Sequence, residues 1–216
     1  MQLVSKYFPQ LSGETLRKLE VFQFHLLEWN EKLNLISRSD AENFEERHLL
    51  SSLAISRMIQ FPPKAKIMDV GTGGGLPGLP LAIIFPKCRF YLVDSVGKKI
   101  AAVQDMANRL SLKNVSAHHY RVEDMKVNVD WVTGRAVKAL PLFMNWVSPK
   151  LNLGRYANMQ RGVVYLKGGD LDEEFKALGA KPDETIDLVR EYPDLPFYET
   201  KKVLRFHTHT LRNRKK

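Results

Sequence analysis

Residues 69–83 read DVGTGGGLPGLPLAI. Gly71, Gly73, Gly74, Gly75 and Gly78 crowd between two apolar runs, KIMDV (66–70) and LPLAIIF (79–85). A strand, a glycine turn and a helix in that order open a βα unit whose backbone can approach a ligand closely. The pattern repeats downstream. FYLVD (90–94) reads as a second strand, and KKIAAVQDMANRL (98–110) as a helix carrying Ile100, Val103, Ala107 and Leu110 on one face. VSAHHY, VDWVTG and VVYLKG are further short strands. This alternation predicts an α/β fold, a parallel sheet covered by helices on both faces. Ligands of such sheets bind at the carboxyl ends of the strands. Those ends carry Asp69 to Gly78, Asp94, Glu123 and Asp124, Arg135 and Lys167.

The stretch before residue 63 reads differently. Leu19, Phe22, Leu26, Trp29 and Leu33 recur at helical spacing, with Ser12 as N-cap and Glu14 in the first turn. LNLISRSD (33–40) breaks that helix, and Asp40 is expected to cap a second one running to about Met58. FPPK (61–64) is a stop signal. The expected organisation is an N-terminal helical cap over 1–62 and an α/β domain over 63–216, together one compact unit.

Two ligand classes use such a loop. A dinucleotide seats its pyrophosphate at the helix N-terminus. S-adenosylmethionine brings an ammonium and a sulfonium instead. Asp69, two residues before Gly71, suits a cation and would repel a pyrophosphate. Asp94 ends the second strand, where a carboxylate accepts from a ribose diol. Glu123 or Asp124, after the third strand, could accept from an adenine amino group. The bland alternative is a tight turn with no ligand.

The chain has 216 residues, 33 Lys and Arg against 24 Asp and Glu, a formal net charge of +9 and a pI near 9.6. Such a balance favours a polyanionic partner, nucleic acid included. The last twelve residues, RFHTHTLRNRKK, hold five Lys or Arg and no acid, which tilts the balance further towards nucleic acid; the bland alternative is a frayed, solvated end. No apolar run approaches a membrane span, and the N-terminus lacks an export pattern. Cys88 is the only cysteine, in a context that suits packing. These features point to the cytoplasm. His207 and His209 would share one face of a strand, with no third metal ligand evident, and no metal is expected.

DVGTGGGLPGLPLAI, LVDSVGKKIAAV, RVEDM, GRAVKAL and YLKGG, preceded by WNEKLNLIS and RHLLSSL, resemble the RsmG family, also called GidB. The resemblance spans roughly residues 25–170. It implies a class I S-adenosylmethionine-dependent methyltransferase fold, Rossmann-like, with a mostly parallel seven-stranded sheet and an N-terminal helical extension. The implied reaction is methylation of N7 of one guanosine in the 530 loop of 16S ribosomal RNA. The implied partner is 16S rRNA or the 30S subunit, met by a monomer. Cofactor-binding positions carried over by the motifs are Gly71, Gly73, Leu76, Asp94, Val122, Glu123 and Arg135. Asn34, His48, Arg121 and Lys167 match polar positions on the substrate side. Arg135 and Lys167 are candidates for positioning the substrate. Two positions depart from the family pattern: Ser51, where an acid is frequent, and Gly134, where a serine is.

Guanine N7 has a free lone pair, so its methylation needs alignment and no general base. The sequence has neither the Pro-Cys nucleophile of pyrimidine C5 methylation nor the Asn/Asp-Pro-Pro-aromatic loop of adenine amino methylation. Two alternatives stay open. One is an rRNA-binding assembly factor with a structural S-adenosylmethionine pocket. The other is a small-molecule methyltransferase, disfavoured by a basic rim without an aromatic-rich insertion.

Overall fold

The computed structural model describes residues 1–214. Seven strands form one sheet: β1 (Lys66–Val70), β2 (Arg89–Asp94), β3 (Val115–His119), β4 (Trp131–Arg135), β7 (Gly162–Gly168), β8 (Glu184–Asp187) and β9 (Lys201–His207). The other two, β5 (Arg155–Tyr156) and β6 (Met159–Gln160), make a small hairpin. The sheet order is β3-β2-β1-β4-β7-β9-β8. β3, β2, β1, β4 and β7 run parallel, and β9 is inserted antiparallel between β7 and β8. The strand order reverses beside β1, which pairs with β2 on one side and β4 on the other. That reversal opens a crevice at the carboxyl ends.

The helix Gly13–Leu33 follows its sequence signals. The Ser12 hydroxyl accepts from Thr15 N, and Asn34 ends the helix at a left-handed φ of 46°. Leu19, Phe22 and Leu26 are buried along its inner face. The second helix is not the continuous one expected. Ser37, rather than Asp40, caps a short helix over Arg38–Glu42. A π-helical turn over Glu45–Leu50 then leads into helical turns at Ser51–Leu53 and Ile55–Met58. The serine hydroxyls here bond back to carbonyls, Ser51 to Arg47 and Ser52 to His48, which competes with regular helix geometry.

One apolar cluster joins Val4, Phe8, Leu19, Phe22 and Leu53 to Ile67, Leu79, Trp131 and Val203. The apolar core therefore runs unbroken across residue 62. The Trp29 indole N–H donates to Asp105 Oδ2 at 2.8 Å, tying the N-terminal helix to the helix Gly97–Arg109.

Residues 201–212 of the C-terminal stretch form a strand and a short helix, against the alternative of a frayed end. β9 is buried at Val203, Leu204, Arg205 and Phe206, and Arg205 pairs with Glu184 at 2.8 Å. A short helix over Thr208–Arg212 follows. Lys215 and Lys216 of the basic tail lie outside the described residues. No helix among the described residues is long and apolar enough to cross a membrane.

Candidate active site

The glycine loop is shaped from beneath by Asp69. Its carboxylate is fully buried and accepts from Thr72 Oγ1 at 2.7 Å, Gly78 N at 3.0 Å and Thr133 Oγ1 at 3.2 Å. Burial pushes its pKa up to about 6 against the three donors, which hold it down. Asp69 therefore does not face the crevice, and the expected direct attraction between Asp69 and a cationic ligand is corrected. Its effect is indirect: it occupies the N-terminus of the helix Gly78–Ile84, the seat a pyrophosphate would need. The preference against a dinucleotide stands, for a different physical reason.

Two glycines here are required by contact. Gly71 has φ 67°, and a Cβ on it would lie 2.8 Å from Val137 Cγ2. A Cβ on Gly78 would collide with Leu92 and sit 2.8 Å from Asp69 Oδ2. Glycine thus lets the loop pass between Val137 above and the β1–β2 floor below.

At the carboxyl ends of β1, β2 and β3 lies a cavity of about 420 Å³. That is within the usual range for a small-molecule site, about 300–1,000 Å³. Gly71, Asp94, Arg121, Val122 and Glu123, all expected from the sequence, line it together. Asp94 accepts from Gly73 N at 3.0 Å and Val96 N at 2.9 Å, one bond to each carboxylate oxygen. A carboxylate has about four acceptor positions, so two stay open to a diol. Glu123 stands on a 3-10 turn, Val122–Asp124, that follows β3. Val93, Val122, Val137 and Trp146 supply apolar walls suited to a purine ring.

The remaining expected residues stand elsewhere. Gly73 is joined to the cavity only through Asp94, and Leu76 is buried behind the loop. Asn34 borders a separate hollow beside Asn30 and Arg38. Arg135 and His48 form a pair apart from the cavity lining, with Arg135 Nη1 donating to His48 Nδ1 at 2.7 Å. Burial, and then the charge of Arg135, press the His48 pKa down to about 3, so the ring is neutral. With Nδ1 accepting, Nε2 carries the proton. Nε2 is buried without a hydrogen-bond partner among the described residues; Asp40 Oδ2 is 3.8 Å away. Burial lowers Arg135 to about 10, which leaves it cationic. Ser51, one of the two departures, is buried against the Tyr198 hydroxyl at 3.2 Å. At Gly134, the other departure, an added Cβ would lie 2.9 Å from the Phe143 ring.

Lys167 is committed to a loop. Its Nζ donates to Glu174 Oε2 at 2.7 Å and to Lys138 O at 3.1 Å. Glu174 in turn accepts from Leu140 N. Tyr165 Oη accepts from the N–H groups of Val137 and Lys138 and donates to Lys138 O. Two β7 side chains thus hang the 137–140 loop over Gly71.

Sequence reasoning missed Lys99, Tyr120, Val137, Lys138 and Trp146, which also line the cavity. Val137 and Lys138 lie in the GRAVKAL motif and Tyr120 directly follows the third strand, so position gave a signal for these three. Trp146 had none, because an aromatic on an apolar helix reads as core. At the far end of the sheet, Asp183 lies 3.3 Å from His207 Nδ1 and 3.6 Å from His209 Nε2. The three offer ligand atoms within 4.8 Å of one another, so the expectation that no third group is near the histidines is corrected. His209 also stands on the short helix and not on the strand. Cys88 is buried beside Pro62 O, its thiol pushed up by burial to about 11.

Residues 15–186 match the family model GidB, described as rRNA small subunit methyltransferase G. The chain is 42% identical over 204 residues to the ribosomal RNA small subunit methyltransferase G of Flavobacterium johnsoniae, covering 94% of this chain and 96% of the relative. It is 41% identical over 204 residues to the protein of the same name from Cytophaga hutchinsonii, covering 94% and 98%. Its fold is similar to that of a SAM-dependent methyltransferase from Aquifex aeolicus, with a TM-score of 0.55 at 13% identity, covering 78% of this chain and 97% of the other. With a class I methyltransferase sheet and a family match running through the glycine loop, Asp94 and Arg135, the chain belongs to the GidB family.

Proposed function

We propose that this chain is an S-adenosylmethionine-dependent methyltransferase acting on N7 of one guanosine in the 530 loop of 16S ribosomal RNA. The observation that carries the cofactor reading is the cavity at the strand-order reversal, where Asp94 keeps open acceptor positions while Asp69 fills the helix N-terminus. The substrate class rests on the near full-length match to relatives named for ribosomal RNA. The atom and the nucleotide rest on the motif resemblance.

The residues present fit the cofactor's chemistry. Asp94 would hold the ribose hydroxyls, and Glu123 would accept from the adenine amino group. Val93, Val122 and Trp146 would sandwich the ring. The bound cofactor supplies an electrophilic methyl group. Guanine N7 offers a lone pair and carries no proton, so this chain would need to supply no general base. Alignment is then the main task. The 137–140 loop, fixed by Tyr165, Lys167 and Glu174, walls the cavity beside Gly71. Arg121, Lys99 and Lys138 give the mouth cations for an approaching phosphate backbone. These acts belong to an enzyme in the cytoplasm working on rRNA or the 30S particle.

The test is direct. Purified protein is incubated with methyl-labelled S-adenosylmethionine and with 16S rRNA or 30S subunits lacking the modification, and nucleosides are read by mass spectrometry. One 7-methylguanosine per 16S rRNA is expected. Label on another atom would overturn the N7 assignment. Cofactor binding without any label would favour an assembly factor.

A further inference from the structure

The amino ends of the strands, opposite the cofactor cavity, carry a second concavity of about 480 Å³. Lys18, Lys64, Lys87, Arg89 and Lys113 line it, and no carboxylate does. Lys18 has a partner, Glu14, at 2.8 Å. The other four are exposed and have no ion-pair partner within 4.0 Å among the described residues. They enter from successive turns. Lys64 precedes β1, Lys87 and Arg89 lead into β2, and Lys113 precedes β3. These three strands are neighbours in the sheet, spaced about 5 Å apart. The turns are braced, with Lys64 N donating to Lys87 O at 2.7 Å and Asn114 Nδ2 donating to Ala82 O at 3.0 Å.

Like charges held within one Debye length, roughly 8–10 Å, repel unless an anion joins them. A concave arrangement adds to this, because it focuses the field outward. The turns that carry the four cations are braced, so the side chains project around one hollow. We propose that this cleft is a second footing for the phosphate backbone of the RNA substrate. The proposal rests on the rRNA reading above and extends it to the far end of the sheet. Strands of five to seven residues separate the two ends, roughly 15–25 Å of protein. A short hairpin seated in the cavity does not span that length, whereas 16S rRNA does. The cleft therefore acts on long RNA and leaves the chemistry untouched.

The test compares the triple variant Lys64→Ala/Lys87→Ala/Lys113→Ala with the parent protein. A control variant, Lys176→Ala/Lys181→Ala/Arg190→Ala, removes equal charge from exposed positions elsewhere. Binding to full 16S rRNA and to a short hairpin carrying the 530 loop is measured across a salt series. On 16S rRNA the cleft variant should bind at least tenfold more weakly. Its slope of log affinity against log salt should flatten by about two to three, since each lost phosphate contact removes about 0.7–0.9. On the hairpin, affinity and methylation rate should stay within twofold, as should cofactor affinity and melting temperature. An unchanged slope, an equal loss on both RNAs, or an equal loss in the control variant would each overturn the footing. If the parent methylates neither RNA, the rRNA reading itself falls and the footing with it. If the parent is active and the cleft variant matches it throughout, the footing alone falls.

Discussion

Asp69 and Asp94 stand at or next to the ends of neighbouring strands in nearly the same sequence context, an apolar run followed by a turn. Their surroundings divide them. In the register of the sheet Asp69 lies opposite Leu92, so Asp94 reaches two residues further out. That is about 7 Å along a strand. Asp69, at that depth, is enclosed by three donors and holds the loop from below. Asp94 meets two donors and turns its remaining acceptor positions to the cavity. A carboxylate at a strand end is a brace or a ligand according to a two-residue difference in depth.

The sharpest attack on this division is Asp69→Asn. An amide cannot accept from all three donors, so the Thr133 hydroxyl would have to turn from donor to acceptor, and the charge that strengthens all three bonds is lost. A loss of about 3 kcal/mol in urea unfolding is expected, in line with a broken buried network. Cofactor affinity in the protein that remains folded should change much less. Asp94→Asn should do the opposite. Cofactor binding measured by calorimetry should weaken by roughly a hundredfold, about 2.7 kcal/mol, with a smaller loss of stability. Equal stability losses in the two variants would erase the distinction between brace and ligand.

Acid sharpens the contrast further, because the buried groups pull in opposite directions. His48 has a folded-state pKa pressed from 6.5 to about 3. The folded protein refuses a proton that the unfolded chain accepts, so stability falls as pH drops from 6.5 towards 3. Asp69 is raised from 3.8 to about 6, so its share of stability is greatest below 3.8 and is lost as pH rises to 6. The two slopes offset each other between about pH 4 and 6, each worth on the order of 2–3 kcal/mol. Unfolding free energies at pH 4, 5, 6 and 7 should therefore depend less on pH in the parent than in either variant that follows. They should rise steeply with pH in Asp69→Asn and fall in His48→Asn. Identical profiles in all three proteins would contradict the burial of both groups. The smallest effect expected is that of Gly71→Ala. The new methyl must displace Val137 and hold a left-handed φ, a strain of about 1–2 kcal/mol. It should appear as a roughly tenfold weaker cofactor affinity, and wild-type affinity would show that the 137–140 loop yields freely.

Most of the strand framework was legible because the apolar runs and glycine punctuation agree with one another along residues 63–168. The expected mouth residues Gly71, Asp94, Arg121, Val122 and Glu123 do converge, since strand ends in a parallel sheet must face one edge. What stayed illegible depended on direction rather than order. Nothing in KIMDV says that Asp69 folds under its own loop. Nothing in YLKGG says that Lys167 turns to Glu174 before any substrate can meet it. The second helix is interrupted at Asn43, whose φ is −114°, and resumes through a π-helical turn over Glu45–Leu50, local departures that periodicity cannot register. In the C-terminal segment the charge stands out more than the alternation of Val203, Arg205 and His207 with Leu204 and Phe206, so the extent of that strand is not legible there.

The place of β9 has a consequence for synthesis. This strand lies between β7 and β8, yet it begins at Lys201 and is the last strand in sequence among the described residues. β8 has no other strand to pair with in the sheet, and the core side of β7 at Val164 and Leu166 waits for Val203. A nascent chain can assemble the first five parallel strands as they emerge, but it must carry an open sheet edge until residues 201–207 have been made. For this chain, losing residues 201–207 is as damaging as a deletion in the middle of the core, and nascent protein completes its sheet only once the strand that comes last in sequence has been made.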